Sequence, residues 1–269
     1  MKRQPVVAGR FYDDNPEKLN HMVDGFLALG SEQRDGKTRL AMVPHAGYVF
    51  SGAVCGKTLG LAKLESTILL LGPNHTGMGG RFALWAEGAW DIPGGSLAVD
   101  VELARSIALA HPLIIEDTAA HVREHSLEVI LPFLSRINVE TTIVPISVSS
   151  RSLEDLQSVG TAIGLALKEF GRPVSIVVSS DMSHYISHEE AKRLDSMALE
   201  AAVNLDPAGL FNTVRTNDIS MCGVLPMTVG LSAALEMGAT KGELVAYATS
   251  GEVSGDFDQV VGYAGVLVS

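Results

Sequence analysis

The chain has 269 residues, 46% of them hydrophobic and 19% charged, and carries a net charge of −11. This composition describes a compact folded protein rather than a disordered one, and residues 1–269 are read as a single domain. The acidity repels phosphate backbones and anionic lipid, so neither nucleic acid nor a membrane is an expected partner. No apolar run reaches the ~18 residues of a membrane span, and the opening MKRQPVVAGRFYDDNPEKL lacks the apolar stretch of a signal peptide. The cytoplasm is the expected location, and the two cysteines, Cys55 and Cys222, are too few for a disulfide framework.

In chain order, LAMVP (40–44) reads as a strand and SGAVCGKT (51–58) as a helix of small residues packed on a sheet. The latter imitates a phosphate-binding loop, but its glycines stand one residue too close together and the strand before it has already ended, so ATP binding is not expected. TILLLG (67–72) is a second strand. Asp100 caps a helix over DVELARSIALA, and EHSLEVILPFLSRI (124–137) has apolar residues at helical spacing. TTIVPIS (141–147), VSIVVSS (174–180), LVAYATS (244–250) and VVGYAGVLV (260–268) are further strands, with helices expected near 152–170, 188–204 and 223–238. The strands are continuously apolar, which buries both faces, and they alternate with helices. The expected fold is therefore α/β, a three-layer αβα sandwich around a largely parallel or mixed sheet.

Three of these strands run directly into polar residues: the first into His45, the second into His75, and VSIVVSS into Asp181 and His184. Ligands of open α/β sheets bind beyond the carboxyl ends of the strands, so these side chains are the ones able to converge on one pocket. Each histidine alone is as well explained as a turn residue. Three of eight in the same topological position point to a site.

Other groups are read more plainly. His184 and His188 have the i, i+4 spacing of a chelating pair, but Ser187 with Glu190 forms a capping box that puts His188 in a solvated first helical turn and leaves His184 in the strand-end loop. His121, Glu124, His125 and Glu128 read as a solvated helix start, with a hydrogen-bonding role behind a metal ligand as the functional alternative for His125. Cys222 precedes a helix beginning near Gly223, where unpaired N–H groups favour a thiolate able to ligate a metal or attack carbon. Cys55 is expected to be core filler.

Taken together, PVVAGRFY (5–12), PHAGYVFSG with His45, LGPNH with His75, EHSLEVILPFL, SSDMSHY with Asp181 and His184, and MCG with Cys222 resemble, in this order and over nearly the whole chain, the Memo family, whose microbial members are called AmmeMemoRadiSam system protein B. That family is similar in fold to class III extradiol dioxygenases, which hold Fe(II) with two histidines and a carboxylate. The resemblance implies a metal-ligand set of His45, His75 and Cys222, with Asp181 and His184 lining the same pocket and the thiolate standing where a dioxygenase has its carboxylate. It implies iron or copper as the metal, with zinc also suited to the donors. The expected activity is redox or oxygenase-type chemistry on an unassigned substrate, with His184 as the proton-transferring base or acid and Asp181 orienting His184 or a metal ligand through a hydrogen bond.

Two further readings follow from the same residues. One is a metal-independent hydrolase or transferase with Cys222 as nucleophile, His184 as its base and Asp181 behind it. The other is a non-enzymatic site for a peptide or other partner, as the animal members of the family imply. The family's naming implies AMMECR1-type and radical-SAM proteins as partners. The glycines at 77, 79 and 80 read as a loop that lets backbone approach a bound species.

Overall fold

The computed structural model describes residues 1–30 and 36–269. Its strands are β1 (Lys2–Arg3), β2 (Leu40–Val43), β3 (Thr67–Pro73), β4 (Phe82–Leu84), β5 (Ala89–Ile92), β6 (Gly95–Val99), β7 (Ile114–Glu116), β8 (Thr142–Val148), β9 (Val174–Ser179), β10 (Asp181–Ile186), β11 (Gly242–Thr249) and β12 (Val260–Val268). The helices are α1 (Pro16–Leu27), α2 (Tyr48–Leu61), α3 (Val101–Ala110), α4 (Leu131–Ile137), α5 (Leu153–Glu169), α6 (His188–Val203), α7 (Pro207–Thr216), α8 (Val224–Glu236) and the short α9 (Gly251–Ser254).

The sheet runs β1-β5-β6-β8-β3-β9-β2-β12-β10, with β11 on β12 and β4 and β7 at the β8 edge. Its centre, β6-β8-β3-β9-β2, is parallel; β12 is antiparallel to β2, to β10 and to β11. Helices α1, α2 and α4 pack on one side, α3, α5 and α8 on the other. The fold is a three-layer αβα sandwich around a mixed sheet with a parallel core. Every residue of β2, β3 and β9 is buried, as continuous apolar runs require when both faces are covered. No helix among the described residues is long and apolar enough to cross a membrane.

All six apolar runs form strands, and Asp100 caps α3 by accepting from the Leu103 N–H. Three expectations change. The helix expected from 124 begins as a 3-10 turn at Glu128 and becomes α-helical only at Leu131, because the carboxylates of Glu124 and Glu128 are drawn inward and hold backbone from elsewhere in the chain. The glycines of α2 pack mainly on α1: a Cβ at Gly52 or Gly56 meets Phe26 at 2.4 Å. The segment carrying His184 is a strand, β10, rather than a loop.

The N-terminal segment is pinned by a buried ion pair. Glu128 accepts from the Arg3 guanidinium at 2.8 Å, from the N–H groups of Val6 and Val7, and from the Tyr12 hydroxyl. Arg3 also donates to the carbonyls of His121 and Glu124. Of the expected solvated face, His121, Glu124 and Glu128 are thus buried, and Arg3 and Glu128 form a paired, hydrogen-bonded network inside the protein.

Candidate metal centre

Beyond the carboxyl ends of β2 and β3 stand His45 and His75, and the turn between His121 and Leu127 brings in His125. Each offers a ring nitrogen, and these three atoms lie within 4.8 Å of one another. The His75 and His125 rings are nearly parallel, with centroids 5.0 Å apart; His45 stands edge-on to both. His45 is buried, His125 half-buried and His75 exposed, so the cluster opens to solvent on the β3 side.

The hydrogen bonds assign the ring protons. His45 Nδ1 lies 2.5 Å from Ser179 Oγ, whose own proton goes to the Ser126 carbonyl at 2.7 Å, so the imidazole must be the donor in the first bond. The neutral ring's Nε2 then has its lone pair toward Cys222 Sγ, 3.3 Å away. His75 Nδ1 lies 2.9 Å from Glu124 Oε1, and a carboxylate only accepts, so Nδ1 carries the proton of this bond and Nε2 is the nitrogen turned to the cluster's other side. The same Glu124 oxygen is 3.5 Å from His125 Nδ1. Glu124 also accepts from the N–H groups of His75, His125 and Ser126. Its burial opposes ionisation, yet the bond from His75, that ring's charge and the Ser126 and His75 N–H groups draw its pKa down to about 2. A carboxylate set against one nitrogen of an imidazole, with the other nitrogen left for a metal, is the arrangement that orients histidine ligands.

Charge around the cluster is uneven. Burial, then the neighbouring His75 and His125, push His45 well below its ordinary pKa and keep it neutral, the form that ligates. Burial lowers His125 as well; burial is also the largest single influence on His75 and lowers it, but the bond to Glu124 and the charges of Glu124 and Asp181 together raise the pKa.

Cys222 stands where α8 meets the β9–β10 junction. A Cβ at Gly223 would lie 2.2 Å from that of Ser180, so glycine there is what lets α8 come close enough to seat the sulfur. Sγ is 3.3 Å from His45 Nε2 and accepts the Asp181 N–H at 3.2 Å. The helix N-terminus does not produce the expected thiolate: burial, then the Asp181 charge, push the thiol well above its ordinary pKa. Asp181 is buried, accepts the His45 N–H at 2.8 Å, and has its other oxygen 4.0 Å from His45 Nε2. It therefore supports His45 rather than His184. His184 is held by Ser220, donating Nδ1–H to the Ser220 carbonyl at 2.9 Å and its backbone N–H to the Ser220 hydroxyl at 2.8 Å. No hydrogen bond among the described residues engages its Nε2.

The structure thus brings His45, His75, Asp181 and His184 to one end of the sheet, as the strand ends predict, and Cys222 joins them from the start of α8. It adds His125 as a converging donor and Glu124 as the carboxylate behind two rings. His188 is not solvated; its Nδ1 is 2.9 Å from Thr249 Oγ1, away from the cluster. The glycine loop packs on the protein itself: Gly80 donates to Asp117 at 2.7 Å, and a Cβ at Gly79 would lie 2.6 Å from that carboxylate.

A family model described as Memo-like protein matches residues 3–267. The chain belongs to the Memo family. Among relatives of this Memo chain, a MEMO1 family protein of Methanopyrus kandleri is 40% identical over 279 residues, covering 99% of each chain. One from Aquifex aeolicus is 40% identical over 267 residues, covering 98% of each, and one from Pyrobaculum aerophilum 38% identical over 276 residues with the same coverage. The Memo fold here also resembles the crystal structure of an uncharacterized protein from Escherichia coli K12, with a TM-score of 0.55 and 14% identity over 87% of this chain and all of that one. That likeness concerns the fold alone.

Proposed function

We propose that this Memo protein binds one first-row transition metal, iron or copper, through His45, His75 and His125, with Cys222 as the neighbouring sulfur donor. The metal serves redox or oxygenase-type chemistry on a small molecule admitted to the strand-end pocket. The observation that carries the reading is the convergence of the three imidazoles within 4.8 Å, with Glu124 behind two of them. Imidazole suits iron, copper and zinc, and a sulfur beside it disfavours hard cations such as magnesium. When bound, such a metal supplies a redox-active or Lewis-acidic centre with positions open to substrate.

The chain's own residues have separable tasks. Glu124 fixes the rings of His75 and His125 and offsets positive charge at the centre. Asp181 secures His45 through its backbone N–H. His184, its Nδ1 proton committed to Ser220, presents bare Nε2 as the proton acceptor of the site.

Metal analysis of protein purified anaerobically without added metal tests this, with His75→Ala and His125→Ala as comparisons. About one equivalent of iron or copper in the parent, lost in both variants, is the expected result. Equal content in all three removes the site. Bound zinc with no oxygen uptake against catechols keeps the site and removes the redox chemistry.

The metal-independent reading lacks support from the hydrogen bonds. Among the described residues the imidazole in contact with Cys222 is His45, while His184 is turned to Ser220, so the nucleophile and its expected base are not paired.

A further inference from the structure

Asp181 and His184 are three residues apart on one strand. Strand side chains alternate faces, so positions i and i+3 should point in opposite directions. Both nevertheless serve the same pocket: Asp181 bonds His45, and His184 is held by Ser220, two residues before Cys222. The pairing with β12 shows how. Asp181 stands opposite Tyr263 and His184 opposite Val261, three steps on β10 against two on β12, and a second extra residue falls between His184 and Ile186. β10 is bulged on both sides of His184, and Tyr185 takes the left-handed conformation with φ 58°. The first bulge turns the imidazole to the side that Asp181 faces.

Ser183, inside that bulge, is fastened from behind by a residue the proposed site does not use. Asp195 of α6 is fully buried. Its Oδ1 accepts both the Ser183 N–H at 3.0 Å and the Ser183 hydroxyl at 2.6 Å, and its Oδ2 accepts the Tyr247 hydroxyl at 2.7 Å. No cation among the described residues pairs with it. A Cβ at Gly262 would lie 2.1 Å from Oδ2, so β12 leaves room for this carboxyl group. A buried carboxyl without a counter-ion is costly unless its hydrogen bonds are complete, and a packed apolar side chain would serve the core better. What it does here is bind the Ser183 backbone N–H and hydroxyl within the first bulge.

We propose that Asp195 is the positioning residue that holds the β10 bulge and so aims the His184 imidazole into the site. It acts through Ser183 and touches neither metal nor substrate. The use made of His184 rests on the function proposed above; the geometry does not, and the test separates the two because it is made on the full chain stripped of metal.

The readout is the tautomer of His184, by nitrogen NMR of histidine-labelled protein, with the resonance assigned from His184→Gln. The bond to the Ser220 carbonyl holds the Nδ1–H form, so the parent should give two widely separated ring-nitrogen shifts. Asp195→Ala should draw these together as the bulge slips and the tautomers average. Asp195→Asn, which keeps an oxygen for Ser183, should restore the separation. Tyr247→Phe, which removes the bond on the far oxygen, should leave His184 as in the parent. If Asp195→Ala does not fold, Ser183→Ala deletes the 2.6 Å bond alone and should move the shifts in the same direction. Separated shifts in Asp195→Ala, or in Ser183→Ala where that variant stands in, overturn the proposal. So does a collapse in Tyr247→Phe as large as in Asp195→Ala, since that would report general loosening of the core.

Discussion

Glu124 holds His75 at two points: Oε1 accepts from the ring Nδ1 at 2.9 Å and Oε2 from the backbone N–H at 2.5 Å. The side chain cannot swing about its own backbone without breaking one of the bonds. Because the same Oε1 faces His125 Nδ1 at 3.5 Å, one carboxylate sets the relation between two rings. Glu124→Gln offers one oxygen where two are used. Metal affinity, by competition with a chelator, should fall ~10–100-fold with the fold retained. Unchanged affinity would show that the rings are held by packing alone.

The state of Cys222 gives a second prediction. With its thiol pushed up by burial and by Asp181, alkylation by iodoacetamide in metal-free protein near pH 7 should be slower than for a free cysteine, rising only well above pH 9. Cys55, buried in α2 and raised for the same first reason, should label only on unfolding. Rapid labelling of Cys222 that disappears in His184→Ala would instead favour a cysteine nucleophile.

His121 predicts an acid sensitivity unrelated to the metal centre. It is fully buried, donates Nε2–H to the Ala83 carbonyl at 2.8 Å, and burial, despite that bond, lowers its pKa from 6.5 to about 4. The unfolded chain therefore takes up a proton first as pH falls. The stability due to neutral His121 is complete above pH 6.5 and is lost between 6.5 and about 4, a change on the order of 3 kcal/mol. Urea midpoints across this window should fall more steeply for the parent than for His121→Gln, and parallel slopes would refute the assignment.

Two glycine substitutions should separate steric from conformational cost. At Gly56 a Cβ meets the Phe26 Cβ at 2.4 Å and its backbone carbon at 2.6 Å, so α1 and α2 must part. Gly56→Ala should cost ~1–3 kcal/mol or more, by thermal unfolding. At Gly77 there is open space but φ is +66°, and Gly77→Ala should cost only ~1 kcal/mol.

What was legible in the sequence was whatever local pattern determines. Continuous apolar runs gave the central strands, and their ends gave His45, His75 and Asp181. β10 was hidden because DMSHYI has no apolar run and its bulges break the alternation by which a strand is read. Glu124 and Glu128 looked like a solvated helix start because their partners lie far off in the chain, at His75 and at Arg3, Val6, Val7 and Tyr12. No spacing rule links them. His125 was undervalued for the same reason, since its standing as a donor depends on the position of Glu124 relative to β3. Cys222 was correctly placed at the start of α8, but its ionisation was misjudged: the helix terminus is a modest influence beside burial next to a carboxylate.

The order of the sheet also governs when the protein can come together on the ribosome. β2 pairs with β9 and β12, and β3 with β8 and β9, so the two greasiest strands of the first third have no neighbour until the later ones are made. Roughly 130 residues separate the end of β2 from the start of β9, which at ~5–20 residues per second is a wait of ~7–26 s. Until β9 is made, β2 and one edge of β3 lack the strand that covers them in the fold. The edge of β2 that β12 covers stays open longer still, until Val260–Val268 are made.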